Sequence, residues 1–193
     1  MPPTDAVVAV KPVVTALDRL GVKHFIGGSV ASAAYGRPRT TVDVDLVADL
    51  RQQHVPPLVA ALEADYYISA QAAAGAIVQK SCFNVIHLAT AFKVDIFVFK
   101  DRKYDRAALA RTRRDTIDAD DPGAEFMLAS PEELILSKLE WYRLGNEVSQ
   151  QQWLDVIGLL QVQGGALDDT YLDRWAADLE VSDLLDKARQ EAQ

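Results

Sequence analysis

The chain has 193 residues, 49% apolar and 25% charged, with a formal net charge of −8. That is ordinary globular composition, which excludes a disordered or collagen-like chain, and the length suffices to bury roughly 70% of the unfolded surface. The acidic balance excludes a global attraction to nucleic acid or anionic membranes but leaves room for local basic patches. The one cysteine, Cys82, excludes an internal disulfide and a cysteine-rich zinc site. No apolar run approaches the ~20 residues of a membrane span. The start, Met1-Pro2-Pro3-Thr4-Asp5, lacks the basic and apolar stretches of a secretory signal, so a cytoplasmic protein is expected.

In chain order, Val13, Val14, Leu17 and Leu20 have helical spacing, with Gly21 as a stop. A short strand is predicted over 22–26, ended by Gly27-Gly28-Ser29, and a short helix over 30–35, closed by Gly36. A strand over 42–47 precedes a helix over 55–64 with Pro56 and Pro57 in its first turn. Three further strands are predicted at 76–80, 82–88 and 93–99, which makes the first half a mixed α/β sheet with flanking helices. The character changes near Asp120-Asp121-Pro122-Gly123, and the pattern afterwards is almost wholly helical. Ser130-Pro131-Glu132-Glu133 reads as a capping box opening a helix to about Leu144. Helices near 149–161, 169–179 and 182–191 complete a small C-terminal bundle. The expected organisation is an α/β domain over 1–121 and a helical subdomain over 122–193.

The chemistry concentrates in Val42-Asp43-Val44-Asp45-Leu46-Val47. Strand side chains alternate, so Asp43 and Asp45 project from one face and the apolar residues from the other. Two acids on one face of an apolar strand repel and are costly to desolvate, and a divalent cation relieves both problems. Oxygen-only ligands suit magnesium or manganese. Lys93-Val94-Asp95-Ile96-Phe97-Val98 supplies a third acid. If its strand lies beside 42–47, three carboxylates can hold two metal ions about 3.5–4 Å apart, the arrangement for in-line phosphoryl displacement. The plain alternative is three solvated aspartates.

Gly27-Gly28-Ser29, Asp43-Val44-Asp45 and the lone Asp95 resemble the signature of DNA polymerase beta-type nucleotidyltransferases. The string Phe25 to Gly36, Arg39-Thr40 before Asp43, and Ser130-Pro131-Glu132-Glu133-Leu134-Ile135-Leu136-Ser137-Lys138 resemble more closely the AbiEii-type toxin nucleotidyltransferases of toxin–antitoxin pairs and their short relatives. The resemblance implies that Asp43 and Asp45 hold two magnesium ions and Asp95 one of them. It also implies a lysine, here Lys138, on the nucleotide phosphates, with Asp155 as its neighbour. Transfer of NMP from an NTP to an acceptor hydroxyl follows. The acceptor is a tRNA or protein by the toxin resemblance, with an antitoxin-like partner, or a small molecule such as an antibiotic by other branches of the fold. A catalytically silent module that binds a nucleotide or a partner is the rival from another class.

The supporting groups have physical roles of their own. Gly27 and Gly28 let a phosphate approach the backbone, the following helix offers free N–H groups, and Ser29 adds a hydroxyl donor, although such a turn is also ordinary strand-to-helix geometry. Arg37 and Arg39 flank Pro38 and suit either a triphosphate or an acid of the strand; Arg39 occupies the position of the family's arginine. Lys138 sits among Leu134, Ile135, Trp141 and Tyr142 at helical spacing, so it needs an anionic partner or must snorkel out to water; by the resemblance that partner is a phosphate, with Asp155 as the structural alternative. Arg111, Arg113 and Arg114 read as solvated surface. His24, His54 and His87 read as structural, and Tyr66, Tyr67, Trp141, Tyr142 and Trp153 as core.

Overall fold

The computed structural model describes residues 4–36, 41–118 and 123–193. Its elements run α1 (Asp5–Arg19), β1 (His24–Ile26), α2 (Gly28–Tyr35), β2 (Asp43–Ala48), α3 (Val55–Leu62), β3 (Tyr66–Ile68), α4 (Ala70–Gln79), β4 (Cys82–His87), β5 (Lys93–Val98), α5 (Lys103–Ala110), β6 (Arg113–Thr116), β7 (Glu125–Leu128), α6 (Pro131–Leu144), α7 (Gln150–Gln163), α8 (Asp169–Asp178) and α9 (Ser182–Glu191). The seven strands form one mixed sheet in the order β3-β4-β5-β2-β1-β7-β6. Pairs β2–β5 and β1–β7 are parallel and the others antiparallel. Among the described residues no helix is long and apolar enough to cross a membrane.

Alternation decides which face the core takes. Val44, Leu46 and Ala48 of β2 and Val94, Ile96 and Val98 of β5 are all buried on one face. Helix α1 contacts both strands and packs on α3, covering that face with Val7, Val10, Val13 and Leu17. The other face of β2 and β5 is only partly covered. Helix α2 lies against it, and α6 and α7 pack on α2. The half-open face is therefore flanked by the C-terminal helices.

Two predicted elements change. Residues 76–79, predicted as part of a strand, belong to α4, capped by the Ser69 hydroxyl accepting from the Ala72 N–H at 3.1 Å. Ala73, Ala76 and Ile77 form its buried stripe at i, i+3, i+4. A short apolar run does not separate helix from strand, and the alanines upstream favour the helix. The capping box is half formed: the Ser130 hydroxyl accepts from the Glu133 N–H at 3.4 Å, but the Glu133 carboxylate accepts from the Tyr171 hydroxyl instead. Burial pushes the Glu133 carboxyl up to about 7.

Strands β3, β6 and β7 and helix α5 have no counterpart in the sequence pattern. Strand β7 lies beside β1, with Ile26 opposite Leu128 and the Ala129 N–H on the Ile26 carbonyl at 2.8 Å. Arg111, expected on the surface, reaches Glu132 and Asp168, each at 3.2 Å, and lies over the Tyr171 ring. Arg113 and Arg114 are exposed. The expected core aromatics divide: Tyr66 is buried, whereas Tyr67 and Trp141 are exposed. His24 is buried with Nδ1 on the Val22 carbonyl at 2.9 Å.

The Tyr66 hydroxyl donates to the Ala9 carbonyl at 2.7 Å in a buried setting, tying the sheet edge to α1. Tyr66→Phe is expected to lower the unfolding free energy by about 1 kcal/mol in urea titration, with an unchanged slope.

Candidate active site

The turn between β1 and α2 is fixed by backbone chemistry. Gly28 has φ +57, and a Cβ there would lie 1.6 Å from Asp45 Oδ2, so both conformation and space require glycine. The Gly27 N–H donates to the Asp45 carbonyl at 2.9 Å and extends the β1–β2 ladder into the turn. Ser29 is buried and its hydroxyl lies 2.8 Å from that of Thr41. Thr41 in turn donates to Asp43 Oδ1 at 3.1 Å. The start of α2, with first-turn N–H groups free of helical partners, thus sits directly against the acidic strand.

Parallel, in-register pairing brings the acids together. Asp45 lies opposite Asp95, Asp43 opposite Lys93, and Asn84 of β4 opposite Asp95. One sheet face therefore carries Asp43, Asp45, Asp95, Lys93 and Asn84. Lys93 Nζ is 2.6 Å from Asp95 Oδ2 and 3.7 Å from Asp43 Oδ2. Burial, then the charges of Asp43 and Asp95, push the Asp45 carboxyl up to about 6, against the pull of Lys138 and Lys93. The hydrogen bond to Asp95 raises the pKa of Lys93.

Lys138 is buried on α6, with Nζ donating to Asp155 Oδ2 of α7 at 2.8 Å. Gln151 Nε2 donates to the other Asp155 oxygen at 3.0 Å. Lys138 is nevertheless near enough to Asp45 to lower its pKa. Trp141, one turn further along α6, is 48% exposed and meets the Phe97 ring edge-on at 6.0 Å, with Lys100 Nζ 5.9 Å from its centroid. Phe97 shares the acids' face, two residues past Asp95. Arg37 and Arg39 lie outside the described residues.

Among the described residues no three acidic, histidine or cysteine side chains converge as a preformed metal cage. The donor set still fits a hard cation. Its atoms are carboxylate oxygens, and an ammonium already stands between two of the three groups. The sequence reading missed Lys93, Thr41 and Asn84. Lys93 was within reach of it, because Lys93 and Asp95 are two apart on a strand.

No family model matches the chain, and no curated protein does. Solved structures match along nearly its whole length. The solution structure of the antibiotic-resistance factor ANT(2'')-Ia aligns with a TM-score of 0.54 at 15% identity, covering 97% of each chain. The fold is that of the nucleotidyltransferases. An antigenic nucleotidyltransferase-like protein from Paracoccidioides brasiliensis aligns at 0.55 and 18% identity, covering 97% of this chain and 93% of the other. ANT(2")-Ia in complex with adenylyl-2"-tobramycin aligns at 0.56 and 14% identity, covering 90% of this chain and 96% of the other.

A carboxyl whose folded pKa stands at about 6, against an ordinary 3.8, holds its proton more tightly when folded. Its contribution to stability is therefore present below about pH 4 and is lost as pH rises through about 6. In chelator-treated protein at pH 7.5, Asp45→Asn is expected to raise stability by about 1–2 kcal/mol, discounted for partial exposure. The gain is expected to vanish at pH 4, read by thermal melts at both pH values.

Proposed function

We propose that the chain is a metal-dependent nucleotidyltransferase that moves NMP from an NTP to an acceptor hydroxyl. The observation that carries this reading is the in-register pair Asp45–Asp95, with Asp43 on the same face and the Gly28-Ser29 turn packed on Asp45. The acceptor oxygen attacks the α-phosphorus, and pyrophosphate leaves with the electrons of the broken P–O bond. Asp43, Asp45 and Asp95 would hold two magnesium or manganese ions, which would neutralise the phosphates and the charge developing on them. The backbone at Gly27 and Gly28 and the Ser29 hydroxyl hold the triphosphate, joined by Arg39 and Lys138. Asp95 accepts the acceptor's proton. The mixed sheet, completed by β7, carries the acids, and α6 contributes Lys138. Positioning and electrostatics supply most of the rate.

For the acceptor, near-complete coverage in both directions against ANT(2'')-Ia favours a small molecule with a free hydroxyl. The net charge of −8 favours a cationic one and works against a large RNA footprint. The second reading, a toxin-like enzyme acting on tRNA or a protein hydroxyl and held by an antitoxin-like partner, rests on the strings Phe25 to Gly36 and Ser130 to Lys138, with Arg39-Thr40 before Asp43.

Incubation with each α-labelled NTP, magnesium and separate pools of aminoglycosides, tRNA and protein is expected to release pyrophosphate and label one pool. Asp43→Ala and Asp45→Ala are each expected to abolish the release with circular dichroism unchanged. Turnover retained in either variant removes the acid assignment, and NTP binding without turnover in any pool points to a silent binding module.

Lys138→Met is expected to cost about 3 kcal/mol, because it strips the ammonium from a buried carboxylate. It is also expected to weaken NTP binding at least tenfold in calorimetry. A loss of stability with unaltered nucleotide affinity makes Lys138 solely the partner of Asp155.

A further inference from the structure

We infer that Lys93 is the built-in cation of the acid face, seated between Asp43 and Asp95 where a divalent ion would enter, and that it sets the affinity for that ion. The inference rests on the metal reading above and extends it to a residue that reading does not use.

Register puts Lys93 there. In-register pairing of β2 with β5 sets Lys93 beside Asp43, and strand alternation sets it on the face of Asp95. Its ammonium bonds Asp95 Oδ2 at 2.6 Å and stands 3.7 Å from Asp43 Oδ2. It thereby spans the two strands whose carboxylates would share a metal. An ammonium and a divalent ion repel strongly at such separations, so the two exclude each other there. Lys93 supplies one positive charge to a face with three carboxylates, and a divalent ion supplies two.

The contrast with Lys138 marks Lys93 as displaceable. The side chains of Lys138 and Asp155 are 9% and 10% exposed, which makes a fixed pair between two helices. The Lys93 side chain is 38% exposed at the first residue of β5, where a four-carbon stem can swing into water while its methylenes stay on the sheet. The Asp95 carboxylate is engaged by the ammonium until a stronger cation replaces it.

The test uses the full chain and manganese as the probe. Free Mn2+ is followed by electron paramagnetic resonance in titrations of the wild type, Lys93→Met and Lys93→Arg, and each protein is melted in chelator. Lys93→Met is expected to bind Mn2+ about tenfold more tightly than the wild type and to melt lower in chelator. Lys93→Arg, which keeps the charge, is expected to stay near the wild type in both. Equal or weaker Mn2+ binding by Lys93→Met overturns the inference while leaving the metal reading intact. No Mn2+ binding by any of the three overturns both. Lys93→Gln is measured in the same way, so that misfolding of the methionine variant does not decide the outcome.

Discussion

The in-register parallel pairing of β2 with β5 is the constraint on which the site depends. It sets Asp45 opposite Asp95 and Asp43 opposite Lys93, so four charges share about two rows of one sheet face. Strand neighbours lie about 4.8 Å apart, close enough for each charge to feel the others. A one-residue slip of β2 would turn Asp43 and Asp45 into the core and lift Val44 and Leu46 out of it, and a slip of β5 would do the same to Asp95 against Val94 and Ile96. Those four residues are fully buried, so the apolar face enforces the geometry of the polar one. Stability of the sheet and placement of the acids are the same fact seen from two sides.

The charge imbalance on the acid face is met by two different kinds of lysine. Lys138 arrives from α6 with a carboxylate of its own, so it adds a local positive pole without adding net charge to the helical layer. Lys93 arrives on the sheet itself and answers Asp43 and Asp95 directly. Asp45, pressed against Gly28 and largely out of water, has neither as a hydrogen-bond partner, and burial with the charges of Asp43 and Asp95 raises its pKa. The carboxylate pressed on the glycine turn is thus the one beside the backbone that suits a phosphate.

Legibility in the sequence followed the range of the physics. The alternation placing Asp43 and Asp45 on one face is local to six residues, and the glycine turn and the serine cap of α6 are equally local. The same parity rule relates Lys93 to Asp95, but its meaning needed the partner strand, about fifty residues away, and register is not written locally. Strands β3, β6 and β7 have three or four residues each, too few for a period to stand out. The run at 76–79 reads locally as a strand, and only the buried stripe it shares with Ala73 makes it helix. Exposure of Trp141 depends on α6 overhanging the sheet, which helical spacing alone does not encode.

That overhang decides how the two halves cooperate. Lys138 and Trp141 are one turn apart on α6, so they share a side of the helix. Lys138 acts electrostatically on Asp45 of β2, and Trp141 touches Phe97 of β5, two residues past Asp95. Helix α6 therefore runs alongside the acid row, with a cation near one end and an aromatic ring near the other. Its position is held by the Arg102 guanidinium, which bonds Glu140 of α6 while engaging Asp105 at the start of α5. The segment following β5 is thus clamped to the helix facing it. The sheet face is thus set by strand register and the facing helix is tied by that ion pair, so both supports of the acid row rest on contacts outside it.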